Sequence, residues 1–234
     1  MKVCVLDNDV LDPVVAPTYV SYGAMFERLL REAGAEWTID IFNTTQGHYP
    51  DSFADYDAVL LTGSKADSFS QEPWVVELRQ RVDSILAAKQ KLVGVCFGHQ
   101  LVGLCMGAKV GRAPQGWGSG RMTYLWHAPE FPQAEGRQEL SLLASHQDQV
   151  LELPAGARLL ASSDFCPVAA YAVDEHVFCV QAHPEFVEAY SDFILNKRRE
   201  TIGETIYQQG MDSLAYGHDG VQVARMMVAF VEGS

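Results

Sequence analysis

The stretch "KLVGVCFGHQL", residues 91–101, runs an apolar segment into a cysteine that has a glycine two positions to either side, Gly94 and Gly98. An apolar run of this length bounded by glycine reads as a buried strand. The segment after the cysteine, "GHQLVGLCMG" (98–107), reads as a short helix closed by Gly107. Cys96 therefore sits in a tight strand-to-helix turn. Such a turn forces its central residue into a strained backbone conformation and lifts the side chain above the sheet. Neighbours two before and two after must be very small, or their Cβ atoms would collide across the turn. G-x-C-x-G is thus the cysteine form of a nucleophile elbow. The plainer alternative is a buried structural cysteine whose glycines only allow close helix–sheet packing, and the motif alone does not separate the two.

Outward from this turn the chain alternates short apolar runs with segments of helical period. "KVCVLD" (2–7), "WTIDIF" (37–42), "YDAVLLTGS" (56–64) and "KLVGV" (91–95) read as strands. Between them "YGAMFERLLREAG" places Tyr22, Met25, Phe26, Leu29, Leu30 and Ala33 on one face. "PWVVELRQRVDSILAAK" opens with Pro73 at a first helical position and carries a stripe through Val76, Leu78, Val82 and Ile85. This βαβα order with near-continuous apolar strands predicts an α/β fold, a parallel sheet covered by helices on both faces. From about 108 to 181, "RMTYLWH", "ELSLLAS", "ARLLASS", "PVAAYAV" and "VFCVQ" read as added antiparallel strands. Two helical patterns follow Pro184, at 186–200 and 219–232; in the second, Ala224, Met227, Val228 and Val231 lie in register as core. No linker, repeat or low-complexity segment interrupts the chain. The reading is one domain, 1–234, with a core to about 195 and a helical extension over 196–234.

Composition bounds the function. Of 234 residues, 48% are hydrophobic and 20% charged, ordinary for a soluble globular chain, and the formal net charge is −13. That balance argues against nucleic-acid or anionic-membrane binding, which needs clustered Lys and Arg. The five cysteines form no CxxC pair and suit reduced thiols in a cytosol. "MKVCVLDND" is too short in its apolar run for a signal peptide, and no segment approaches the length of a membrane span. The expectation is a cytoplasmic protein with a small-molecule substrate, no cofactor and no metal, since no ligand cluster with metal spacing is present.

A thiol that attacks an amide needs a base, usually histidine, itself oriented by a carboxylate or amide. Of seven histidines, His183 in "VFCVQAHPEF" (177–186) stands out, just past a buried strand and followed by Pro184 and Glu185. Proline restricts that turn, so His183 and Glu185 can share the strand end, with Glu185 holding the imidazole. His146 competes on residue type, but no carboxylate follows it at that spacing. The helix that begins at the elbow adds unpaired N–H groups and a positive dipole end, which favour a thiolate at Cys96 and an oxyanion beside it. The N–H of Phe97 is a natural oxyanion donor.

"GVCFGHQ" (94–100) and "AHPE" (182–185) together resemble the elbow and His-x-Glu elements of class I, triad-type glutamine amidotransferases, over about residues 1–195. That group includes the glutaminase parts of GMP synthetase, anthranilate synthase and carbamoyl phosphate synthetase. The resemblance implies a Cys96–His183–Glu185 triad in a flavodoxin-like three-layer sandwich, acting on the γ-carboxamide of glutamine through a γ-glutamyl thioester. "LLTGSKADS" (60–68) falls where the family has a Gly-rich oxyanion loop, so Gly63 and Ser64 resemble the second backbone donor and its neighbour. Gly63-Ser64-Lys65 departs from the commoner Gly-Gly-Pro, which leaves open how far that loop is preformed. Gln100 resembles a glutamine that helps hold substrate. "ASHQDQV" (144–150) resembles the Ser-His-x-Asp segment, which implies that Ser145, His146, Gln147 and Asp148 line the pocket for the substrate's amino and carboxylate groups. Trp117 in "PQGWGSGRM" either edges the pocket or packs.

The chain has no Gly-rich phosphate loop with Lys and Ser/Thr, so no synthetase half is visible. Ammonia would go to a synthase on another chain, or the enzyme works alone. The same motifs also resemble stand-alone plant γ-glutamyl peptidases, which need the same thiol, base and γ-glutamyl pocket. A silent binding or regulatory protein would be expected to lose a triad member, and all three are present. An esterase fits worse, since the nucleophile is a cysteine.

Overall fold

The apolar runs and helical stripes assemble around one nine-stranded sheet in a computed structural model that describes residues 1–128 and 136–233. In chain order the elements are β1 (Lys2–Asp7), α1 (Ala16–Tyr19), α2 (Tyr22–Glu32), β2 (Thr38–Asn43), β3 (Ala58–Leu61), α3 (Pro73–Ala87), β4 (Lys91–Val95) and α4 (Phe97–Cys105). There follow β5 (Val110–Arg112), β6 (Gly118–Trp126), β7 (Glu139–His146), β8 (Asp148–Val150), β9 (Arg158–Ser162), β10 (Ala170–Val173) and β11 (Val177–Val180). Three helices finish the described chain: α5 (Glu188–Ile202), α6 (Glu204–Ser213) and α7 (Gly220–Glu232). The sheet order is β2-β1-β3-β4-β11-β10-β9-β6-β7.

The first five strands in that order pair in parallel and the remaining pairings are antiparallel. The α/β sandwich expected from the sequence is the fold. One strand differs from its expectation. "VFCV" (177–180) pairs antiparallel with β10 yet parallel with β4, with Val180 opposite Val95. The β10–β11 hairpin returns the chain to the middle of the sheet, so the strand before His183 lies beside the strand before Cys96.

Two apolar clusters cover the sheet's faces. On one, Phe26 and Leu30 of α2 and Val223, Met226 and Met227 of α7 pack on Val3, Val5, Val93 and Val95. On the other, Leu78, Val82 and Ile85 of α3 and Leu101 and Val102 of α4 pack on Cys4, Leu6, Val59 and Leu61. In α3 the buried stripe includes Val75 in place of Val76, which is half-buried. Helix α6 is absent from the sequence reading: "ETIYQQGMDS" is polar, and only Tyr207 and Gly210 are buried. Gly210 lets α6 approach β6, where a Cβ on Gly120 would meet the Gly210 Cα at 2.6 Å. The division proposed at 195/196 falls inside α5. No helix among the described residues is long and apolar enough to cross a membrane.

Helix α7 closes the core beside α2, and Met227 is 1% exposed. Met227→Ala should lower unfolding free energy by about 2–5 kcal/mol, as a buried large-to-small change does. Chemical denaturation measures it; a loss well under about 1 kcal/mol would mean that α7 only rests on the surface.

Candidate active site

Three neighbouring parallel strands, β3, β4 and β11, end at one edge of the sheet and deliver Gly63, Cys96 and His183. Ligands of open α/β sheets bind outside the carboxyl ends of strands. Cys96 follows β4 at φ 51° and ψ −103°, a conformation that L-residues rarely adopt, and its amide donates to the Val180 carbonyl at 3.0 Å. A Cβ on Gly94 would lie 2.8 Å from the Gly98 carbonyl carbon and oxygen, across the turn. A Cβ on Gly98 would lie 2.6 Å from both Cβ and O of Leu61 on β3. The second glycine is thus required by the next strand rather than by its partner glycine. Both constraints involve backbone atoms and cannot relax by a side-chain rotation.

His183 is reached through the turn after β11. Its amide donates to the Leu143 carbonyl at 2.8 Å, an isolated bridge that ties it to β7. Its Nδ1–H donates to Glu185 Oε1 at 2.7 Å, and both side chains are buried. The imidazole stacks on the Phe186 ring, centroids 3.9 Å apart and planes within 11°. Gly63 lets the ring sit where it does, because a Cβ there would meet His183 Cε1 at 2.6 Å and Cys96 Cβ at 3.6 Å. Burial alone would lower the His183 pKa. The Glu185 carboxylate and the Cys96 thiol group outweigh it and lift the ring to about 10. A buried imidazolium is stable here because the Glu185 carboxylate is hydrogen-bonded to it.

His146 is the opposite case. Burial first, then neighbouring His183, push it down to about 3, so it is neutral at physiological pH. Its Nδ1 faces the Asp148 carbonyl at 3.2 Å, and among the described residues no carboxylate holds it. Of the two histidines, His183 has the partner that a base requires.

The Gly63–Ser64 segment is braced from β1. The Asn8 amide donates to Thr62 Oγ1 at 2.9 Å and Asn8 Nδ2 to the Thr62 carbonyl at 3.0 Å. Asp9 accepts from the Lys65 backbone at 2.8 Å and from Lys65 Nζ at 2.7 Å. The loop is therefore held without the Gly-Gly-Pro sequence. Phe97 opens α4, where an amide has no intrahelical acceptor. The Ser64 amide likewise meets no acceptor among the described residues.

A cleft opens onto Cys96 and is lined by Gln100 and by Ser145, His146, Gln147 and Asp148. The structure thus gathers these five residues around the thiol. Gln100 Nε2 donates to the Asp148 carbonyl at 2.9 Å and to Gln181 Oε1 at 3.2 Å, which locks its amide. The Asp148 carboxylate lies 2.5 Å from Arg112 Nη1, and Arg112 also reaches Asp67 at 3.0 Å. Burial nevertheless holds the Asp148 pKa above the usual carboxylate value, against the guanidinium. Trp117 edges this cleft, which answers the question the sequence left open.

Sequence reasoning missed Arg112, Arg198, Asp9 and Phe186. Arg112 comes with the two-stranded β5–β8 sheet, whose register sets it opposite Asp148. Arg198 comes on α5, beyond the recognised motifs. Only Phe186, adjoining the HPE element, had a local signal. Among the described residues no cluster of His, Cys, Asp and Glu is arranged to hold a metal ion.

The model of the class-I glutamine amidotransferase family matches residues 14–197. The chain belongs to that family. It is 36% identical over 180 residues to γ-glutamyl peptidase 3 of Arabidopsis thaliana, covering 74% of this chain and 72% of the relative. To a glutamine-hydrolysing GMP synthase component of Archaeoglobus fulgidus it is 29% identical over 185 residues, covering 75% of this chain and 93% of the relative. The fold superposes on a glutamine amidotransferase of Thermotoga maritima with a TM-score of 0.73 at 20% identity, covering 98% of both chains.

Glu185 carries the largest upward influence on His183, so Glu185→Gln should lower that ring's pKa from about 10. The imidazolium population then disappears at a lower pH than in the unaltered protein. Nitrogen-15 NMR of the histidine rings measures this directly; an unchanged or higher His183 midpoint would contradict the assignment.

Proposed function

We propose that the protein hydrolyses the γ-carboxamide of glutamine through Cys96, His183 and Glu185, giving glutamate and ammonia. The observation that carries this is the buried His183–Glu185 pair, 2.7 Å apart, facing a thiol held on a strained elbow. His183, held by Glu185 at 2.7 Å, takes the proton of the Cys96 thiol and so forms the thiolate. Thiolate sulfur attacks the γ-carbonyl carbon. The Phe97 amide and the backbone N–H groups of the Gly63–Ser64 segment receive the oxyanion, worth about 3–4 kcal/mol per donor in comparable sites. The C–N bond breaks as His183 gives its proton to the departing nitrogen. Forming the thioester removes the negative charge on sulfur that had supported the imidazolium. The now neutral ring takes a proton from water, which attacks the thioester and releases glutamate and the thiolate. Substrate binding falls to Gln100 and to Ser145, His146, Gln147 and Asp148.

The ammonia would pass to a synthase on another chain, a reading supported by similarity to a glutamine-hydrolysing component of GMP synthase. A second reading, hydrolysis of γ-glutamyl peptides, uses the same atoms with a larger leaving amine. Relatives at 31–36% identity that are γ-glutamyl peptidases favour it. Faster turnover of a γ-glutamyl dipeptide than of glutamine would select it.

Cys96→Ala should abolish glutamate release from glutamine and γ-glutamyl dipeptides while circular dichroism stays native; retained turnover in a pure preparation removes Cys96 as nucleophile. His183→Ala should cost more in kcat than Glu185→Gln, since the residue that moves the proton matters more than the one that orients it. Equal losses, or the reverse order, count against these roles.

A further inference from the structure

Three cations line the cleft over Cys96: Lys65, Arg112 and Arg198. Two of them are neutralised by the chain itself. Lys65 Nζ lies 2.7 Å from Asp9, and Arg112 is shared between Asp67 and Asp148. Arg198 meets no carboxylate among the described residues. Its Nη1 donates to the Ser145 carbonyl at 3.0 Å and to Ser145 Oγ at 2.8 Å, and its guanidinium carbon lies 5.0 Å from the centroid of the Trp117 ring. Trp117 itself edges the cleft.

These anchors hold Arg198 in place before any substrate arrives, while its Nη2 and Nε donors find no acceptor among the described residues. A pre-positioned guanidinium fork matches a carboxylate in two parallel hydrogen bonds, and little further ordering is then required on binding. Elsewhere in the cleft the Asp67–Arg112–Asp148 group sums to one net negative charge, two carboxylates against one guanidinium. One part of the cleft thus suits an ammonium group and another a carboxylate.

Building on the reading that Cys96 cleaves a γ-glutamyl amide, we propose that Arg198, seated on Trp117 and Ser145, is the carboxylate clamp that sets substrate specificity. The substrate class is γ-glutamyl compounds bearing a free carboxylate within its reach. That carboxylate is either the α-carboxylate of the γ-glutamyl half, which glutamine also has, or the terminal carboxylate of a leaving amino acid, which glutamine lacks. Arg198 is assigned no part in the proton transfers, so its contribution falls on KM.

Four probes separate the sources: glutamine, glutamine α-amide, γ-glutamylglycine and γ-glutamylglycinamide. In the unaltered enzyme, amidating the carboxylate that Arg198 reads should raise KM about ten- to a hundredfold, the range for hydrogen bonds to a charged group. In Arg198→Gln the free and amidated forms should bind alike, with kcat changed less than about threefold, and Arg198→Lys should recover part of the difference. Sensitivity to α-amidation names the glutamyl half, and sensitivity to terminal amidation names the leaving group. Equal KM for free and amidated forms in the unaltered enzyme overturns the proposal, whatever the variants do. A KM difference that persists in Arg198→Gln also overturns it, and a fall in Tm alone would make Arg198 a tie between α5 and β7. Failure of the unaltered enzyme to cleave the γ-amide bond of any probe, followed as the released ammonia or amine, would instead remove the γ-glutamyl reading underneath.

Discussion

One backbone conformation supports everything at this site. Cys96 is held at positive φ between the last residue of β4 and the first of α4, at a cost of order 1–3 kcal/mol for an L-residue. Three contacts over-determine that bend: Gly94 against the Gly98 carbonyl, Gly98 against Leu61 of β3, and the Cys96 amide on the Val180 carbonyl of β11. The sheet therefore enforces the strain from both neighbouring strands. Local sequence makes the bend permissible, and the flanking strands make it compulsory.

The same adjacency supplies the electrostatics. With β3, β4 and β11 side by side and parallel, a loop, a thiol and an imidazole arrive at one edge. Taking a thiol and an imidazole out of water ordinarily disfavours both charged forms. Here the Glu185 carboxylate, buried and bonded to the ring, reverses the outcome for His183, while His146, lacking such a partner, stays neutral. Two buried histidines thus depart from the ordinary value in opposite directions: the Glu185 carboxylate holds charge on His183, while burial and neighbouring His183 disfavour it on His146.

The antiparallel half of the sheet walls the cleft. β7 carries Ser145 and His146, the β5–β8 ribbon brings Arg112 against Asp148, and α5 lays Arg198 over Trp117 beside Ser145. The parallel strands build the reacting groups, and the added strands and helices build the charged walls around them.

Sequence alone determined the α/β class, the elbow at Cys96 and the His183–Glu185 pair. Each is written in short range: a strand period, two glycines at fixed offsets, and a proline between a base and its carboxylate. Helix α6 escaped because few of its side chains are apolar, and only Tyr207 and Gly210 are buried. Beyond that, tertiary structure decided the rest. That β11 lies parallel to β4, that Gly63 must be bare to admit the His183 ring, and that Arg112 is spent on two carboxylates while Arg198 is not, all depend on residues tens of positions apart. Charge pairing and close approach are properties of neighbours in space, and a strand period or a spacing between residues carries no record of them.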